Sequence, residues 1–404
     1  MKSDKKLVKL DIPQPQEQLP EPDEIHRQDQ YNLYFHKISR FYRNLKICCV
    51  FFLCLFILGS LFLFGELFTY ENARYVLRDM SQLISDDSAV PADKIHYDAD
   101  TEMDFGIYRS NLVVAGSSGV DIYGKSGVVK LSDDTDFISP VIASSEKYCI
   151  VYSLGAYNLS VYNTVARIYD MKFDFQIFDV ALSDDGHIAV MTQSREYRCT
   201  VYLYDADFRL VATYNKSNYP SDVEFSQDNK SLYISTFGSD SGTYRTVFNC
   251  YQVGKSELLY TYNHYDELIY DCIPFESGTT ALVADGSVVF LGSDGSVIKK
   301  EILDSGVSRF HSDGYQLSIL SSDKNKKVLV YDSDGGQVYN KDVDNFDQIY
   351  SFDGQVYALQ RNRIMSINDS SLDLTLDYVP QKIDYDKGYL FVYYTDNVIS
   401  LKVE

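Results

Sequence analysis

The chain has 404 residues, 45% of them hydrophobic, with 35 Tyr, 23 Phe and no Trp, and it carries a formal net charge of −21. That length suits one large domain with appendages or two ordinary domains, and the aromatic richness favours strands over helices. The acid excess repels nucleic acid and anionic lipid, which excludes both as partners of the acidic region, and seven cysteines, three of them within one apolar run, are no disulfide framework.

In chain order, residues 1–30 include "KLDIPQPQEQLPEPDEIHRQDQ", rich in Pro, Gln and acids and without an apolar period, so a disordered cytoplasmic tail is expected. Over 31–46, Tyr31, Tyr34, Phe35, Ile38, Phe41, Tyr42 and Leu45 fall at helical spacing, and Lys37, Arg40, Arg43 and Lys46 recur every third residue beside them. This predicts a basic, aromatic juxtamembrane helix whose cations contact lipid headgroups at about 1 kcal/mol each; a plain charged flank would need the charges but not the aromatic stripe.

The run "ICCVFFLCLFILGSLFLFG", residues 47–65, holds no charge over 19 residues and predicts a transmembrane helix. No small-x-small cleavage pattern follows it, so it reads as an uncleaved signal anchor. The basic residues before it and Glu66 and Glu71 after it place the N-terminus in the cytoplasm and the rest outside. Residues 66–90 keep Phe68, Ala73, Val76, Leu77, Met80, Leu83 and Ile84 in a helix-like pattern, a membrane-proximal helix or stalk that Pro91 ends.

From 91 to 404 helical periodicity gives way to repeats. "DVALSDDGHIAVMTQ" (Asp179 to Gln193) is echoed by "DVEFSQDNKSLYIST" (Asp222 to Thr236), each a strand, a polar turn and a second strand. The end of the third strand of each unit recurs near Gly124, Asp170, Asp205, Gln252, Gly292, Asp332, Asn368 and Leu401, at intervals of 33 to 47 residues. A period of roughly 40 residues built of strands is that of a four-stranded propeller blade. In "CTVYLYD" both faces are apolar, as a blade held between two neighbours requires. The expected fold is therefore all-β, an eight-bladed β-propeller with seven blades as the alternative count. The last unit ends after its third strand, so "ADKIHYDAD" (Ala92 to Asp100) is expected to supply the missing one.

The layout, the "Y-x-N-A-R" segment (Tyr70 to Arg74) and units such as "FGIYRSNLVVAGSSGVDIYGKSG" (Phe105 to Gly127) resemble an uncharacterised bacterial family of single-span membrane proteins with an extracytoplasmic propeller-like region. The resemblance spans roughly residues 45–404. It implies a place in the bacterial cytoplasmic membrane and no particular activity. Units such as "SDDGHIAV" are also similar to WD40-type and quinoprotein-type repeats, although the WD dipeptide and the tryptophan docking motifs are absent.

Chemistry-bearing patterns are sparse. His96, His187, His264 and His311 are scattered one to a distant unit, without metal-ligand spacing. "DADTEMD" (Asp98 to Asp104) and "DSDGG" (Asp332 to Gly336) look faintly like calcium loops but lack the full ligand set, and Asp-Gly pairs are preferred hairpin residues. Cys149, Cys199, Cys250 and Cys272 lie in strand-like runs and read as buried thiols. No catalytic, cofactor-binding or metal-binding residue is predicted, and no cofactor. The expected function is a non-enzymatic, membrane-anchored scaffold: residues 31–65 contact lipid and the propeller loops bind an extracytoplasmic protein or envelope component. A ligand sensor signalling through the span to the tail is the second expectation, and a propeller enzyme with its site in the central channel the third.

Overall fold

The computed structural model describes residues 38–56, 90–322, 326–343, 346–368 and 372–403. The chain divides into two compact units, Met1–Arg74 and Tyr75–Glu404.

The described part of the first unit is one helix, α1 (38–56), which carries Arg40, Arg43 and Lys46. Its apolar side chains are exposed all round, with Phe41 at 64%, Phe52 at 69% and Phe56 at 73%. Among the described residues no helix is long and apolar enough to cross a membrane. The expected span 47–65 shares 47–56 with α1, and 57–65 lies outside the described residues, as do the tail 1–30, Lys37 and the stalk segment 66–89.

The described part of the second unit is all β: eight four-stranded antiparallel sheets. Blade 3 shows why the sequence folds this way. Its strands are β10 (Ile177–Leu182), β11 (Ile188–Gln193), β12 (Cys199–Tyr204) and β13 (Leu210–Lys216), numbered from the axis outward. Successive side chains of β11 point to opposite faces. Ile188 and Val190 pack on Ile150, Tyr152, Leu159 and Val161 of blade 2, whereas Ala189 and Met191 pack on Val223, Phe225, Leu232 and Ile234 of blade 4. Both faces are therefore core, and each fully buried Val, Ile or Leu contributes about 1.5–3 kcal/mol. The outer strand β13 alternates exposed and buried instead, because solvent lies beyond it.

The repeated polar turns have one geometry. Ser183 Oγ donates to Asp185 Oδ1 (2.5 Å) and accepts from His187 N (2.8 Å); Ser226 Oγ donates to Asp228 Oδ1 (2.7 Å) and accepts from Ser231 N (2.9 Å). Gly186 (φ +98°) and Asn229 (φ +60°) supply the left-handed residue that each turn needs. Asp184 N donates to Asn229 Oδ1 (3.1 Å), so neighbouring turns are also tied to each other.

The third-strand landmark holds in seven units and fails in blade 2. There the third strand is β8 (Asn158–Tyr162), and Asp170 lies in the outer strand β9 (Arg167–Lys172). "RIYDMK" has the residues of a strand, and its exposure marks it as the edge.

The closing blade is completed as expected. β30 (Lys382–Asp386), β31 (Tyr389–Tyr393) and β32 (Asn397–Lys402) are joined at the outer edge by β1 (Lys94–His96), with Ile95 opposite Val398. Tyr97 Oη donates to Tyr394 O (2.6 Å) and Asn397 O (2.9 Å), and Ser400 Oγ to Ala92 O (2.9 Å). The count is eight blades, not seven.

Candidate functional site

Each blade is a meander running outward, so its second-to-third loop and its link to the next inner strand fall on one face of the disc, here the upper face. The inner-to-second and third-to-outer turns fall on the other, lower face. Tyrosine elsewhere fills inter-blade space, as Tyr108, Tyr162, Tyr331 and Tyr393 do. On the upper face of blades 2 to 5 it does the opposite.

Tyr157, Phe178, Tyr197, Tyr219, Tyr244 and Tyr270 all lie at upper-face loops or strand ends, and they are between 40% and 71% exposed. Tyr244 tops the longest hairpin, β15 (Ser231–Asp240) with β16 (Thr243–Gln252), which stays paired up to Asp240 and Thr243. Tyr219, at the head of β14 (Tyr219–Phe225), stacks on Phe237 (5.5 Å) under the Arg198 guanidinium (4.5 Å). Clustered exposed aromatics are characteristic of recognition surfaces, since they offer contact area at low entropy cost.

Four consecutive inner strands, β10, β14, β18 (Ile269–Pro274) and β22 (Val307–Ser312), bulge near their upper ends. In the first three the extra residues are Phe178, Ser221 and Tyr270, and the residue after each is an aspartate, Asp179, Asp222 and Asp271; in β22 the extra residue is Ser308 and Arg309 follows it. A bulge re-aims side chains. Here it sends two aromatics onto the face while the following carboxyls enter the centre of the ring.

Those carboxyls stitch blade to blade. Asp179 Oδ2 accepts from Val223 N (3.0 Å) and Asp222 Oδ2 from Cys272 N (2.9 Å), as Asp104 on β2 (Met103–Tyr108) accepts from Ile142 N (2.8 Å). Enclosure by protein is the main cause that raises all four, and repulsion from neighbouring carboxylates adds to it for three: Glu224 is pushed up to about 8, Asp271 to about 7 and Asp222 upward, while burial alone raises Asp179. Each keeps some surface toward the open centre. On the closing blade Asp384 is pushed up to about 6 by burial, beside Lys382 (3.7 Å).

The central channel thus collects carboxyls, the arrangement an active site there would require. Yet their bonds go to backbone N–H groups of the next blade, which makes them blade ties. Among the described residues, no group of three or more His, Cys, Asp or Glu side chains is disposed to hold a metal ion.

The histidines do not converge. His187 bonds Asp185 (2.8 Å) in a lower-face turn, His264 is buried against Glu267 (2.8 Å), and His96 ends the edge strand β1. Only His311 is on an inner strand, β22 (Val307–Ser312). It accepts from Ser351 N (3.1 Å), and burial lowers its pKa to about 4, leaving a neutral ring.

Both faint calcium loops are turns: Asp332 Oδ1 accepts from Gly336 N (2.6 Å), and Asp100 Oδ1 from Thr101 N (2.7 Å) and Ser117 Oγ (2.5 Å). Cys149, Cys199, Cys250 and Cys272 are free and buried, and burial pushes the Cys149 and Cys199 thiols up to about 12. Reading the sequence missed the channel acids because 58 acidic residues hide them. The available signal was phase: "FDVA", "SDVE" and "YDCI" put Asp at one place in successive units.

Similar folds recur among solved structures. BamB from Moraxella catarrhalis is 11% identical, with a TM-score of 0.55 over 77% of this chain and 96% of BamB. Saccharomyces cerevisiae Sqt1 is 9% identical, with a TM-score of 0.58 over 78% of this chain and all of Sqt1. Identity that low establishes the propeller alone. No curated protein matches the chain. The family of unknown function DUF5711 matches residues 91–376, most of the propeller and more than half of the sequence, and the chain belongs to that family.

Proposed function

We propose that the protein is a non-enzymatic scaffold, tethered to the bacterial cytoplasmic membrane by residues 31–65, that holds an extracytoplasmic protein on the upper face of blades 2 to 5. The observation that carries this reading is the run of exposed aromatics on one face of consecutive blades. A rigid disc with Tyr anchors, one of them beneath an Arg, has the composition of interaction hot spots. The tether rests on the uncharged run 47–65, on the exposed apolar surface of α1 and on the basic flank Lys37, Arg40, Arg43 and Lys46. The acidic exterior favours a partner with basic or neutral contact surface over nucleic acid.

The test is capture from crosslinked cells by the full-length protein and by a Tyr219→Ala/Tyr244→Ala/Tyr270→Ala variant. The proposal expects a partner recovered stoichiometrically with the wild type and depleted at least tenfold by the variant, whose melting temperature stays close to wild type because all three side chains are exposed. Equal recovery by both proteins would remove the upper face from the reading.

A further inference from the structure

The second-to-third loop of blade 3, residues 194–198, brings Arg195, Glu196, Tyr197 and Arg198 to the upper face, all four exposed. We propose that Arg198 is the anion fork of that face: its guanidinium, held over the Tyr219 ring, receives an Asp or Glu carboxylate of the protein bound there. The proposal rests on the reading of the upper face as a protein-binding surface and names the chemistry of one contact. Arg198 Cζ lies 4.5 Å from the centre of the Tyr219 ring, and Tyr219 in turn stacks on Phe237 at 5.5 Å with 29° between the ring planes.

What sets Arg198 apart is the missing acid. Arg167, Arg209, Arg245 and Arg363 each pair with an aspartate, at 3.2 Å, 3.5 Å, 3.4 Å and 2.5 Å. Arg195 and Arg198 have no carboxylate partner among the described residues, although the chain holds 58 acidic residues against 37 Lys and Arg. Glu196 lies between them in the loop and pairs with neither, and Asp240, at the end of β15, is taken by Arg245. In so acidic a chain, two unpaired arginines on one loop reverse the sign of the local field.

A guanidinium presents its N–H donors in a planar fork that matches a carboxylate in two parallel bonds, which the ammonium of a lysine cannot do. Tyr219 restrains the Arg198 head before a partner arrives, so less side-chain freedom is lost on binding. Once a partner covers Tyr197 and Tyr219, the ion pair between them is shielded from water and its attraction grows. The acid excess of the chain repels every charge of a polyanion, whether nucleic acid or anionic lipid. A single carboxylate in a neutral or basic contact surface instead meets the charges within about 8 Å, the screening length at physiological salt, and on this loop Arg195 and Arg198 outnumber Glu196.

The test presents the full-length chain, in mild detergent, with short synthetic peptides in matched pairs, one member carrying Glu where its twin carries Gln. The wild type is expected to hold the Glu members of the pairs it binds at least tenfold more tightly than their Gln twins. Arg198→Gln should abolish that preference, and Arg198→Lys, which keeps the charge and loses the fork, should lose most of it. Arg209→Gln, which removes a lower-face cation paired with Asp207, should leave it whole. Arg198 and Arg209 are both exposed, so the variants are expected to melt with the wild type. Absence of any preferred peptide, or a preference unchanged in Arg198→Gln or Arg198→Lys, overturns the fork. Capture from crosslinked cells separates this failure from failure of the upper-face reading. A partner lost by the triple tyrosine variant but recovered in full by Arg198→Gln keeps the face and overturns the fork, whereas a Glu preference that depends on Arg198 supports the fork even where no cellular partner is recovered.

Discussion

Tyr97 illustrates how one side chain can hold the ring shut. Its hydroxyl donates to Tyr394 O (2.6 Å) and Asn397 O (2.9 Å) while its ring packs on Phe105 (5.6 Å), linking the N-terminal strand, the closing blade and blade 1. Tyr97→Phe keeps the ring and removes both bonds, while Asn397 O keeps its Tyr394 N donor (2.8 Å), which predicts a loss of about 0.5–1.5 kcal/mol. The midpoint of chemical denaturation measures it, and an unchanged midpoint would show that these bonds add nothing to closure. Gly335 marks another single-residue constraint. It has φ +78°, and a Cβ there would come within 2.7 Å of the Phe290 ring, so Gly335→Ala is expected to cost about 1–3 kcal/mol from strain and overpacking together.

At the scale of elements, closure by β1 matters most. Without it β32 would present an unpaired edge, and the outermost wall of the core around Phe105, Tyr123 and Phe391 would open. Ile95→Asp places a charge in a position only 4% exposed, opposite Val398, and is predicted to destabilise the propeller by about 3–5 kcal/mol and to promote aggregation. Light scattering with a thermal melt checks this; a monodisperse variant with wild-type melting would show that the eighth blade closes without its fourth strand.

The closure was legible in the sequence because a blade missing its last strand is a physical defect that demands a donor, and "ADKIHYD" alternates in the right place. The blade boundary near Asp170 was misplaced because alternation reports a strand's period and not its distance from the axis. The acid cluster was illegible for a related reason. A carboxyl's role depends on what encloses it, and "SDVE" reads like any acidic turn until the bulge aims Asp222 at the ring centre.

The whole molecule combines a rigid acidic disc with an apolar N-terminal segment, and its proposed function depends on both. Deleting residues 47–65 should release the protein from membranes during alkaline carbonate extraction, whereas the intact chain should stay in the pellet; extraction of both would refute the anchor. A sensor would in addition lose its output when residues 1–30 are removed, while a scaffold would keep its partner. The central claim, that the upper face of blades 2 to 5 holds a protein, is tested most directly by a photo-crosslinking residue placed at Tyr244 in living cells, with the same residue at Tyr315 as control. Both tyrosines are well exposed, 71% and 63%, but they lie on opposite faces of the disc. The account predicts a discrete protein adduct from position 244 and none from position 315; adducts from 315 alone, or from neither, would contradict it.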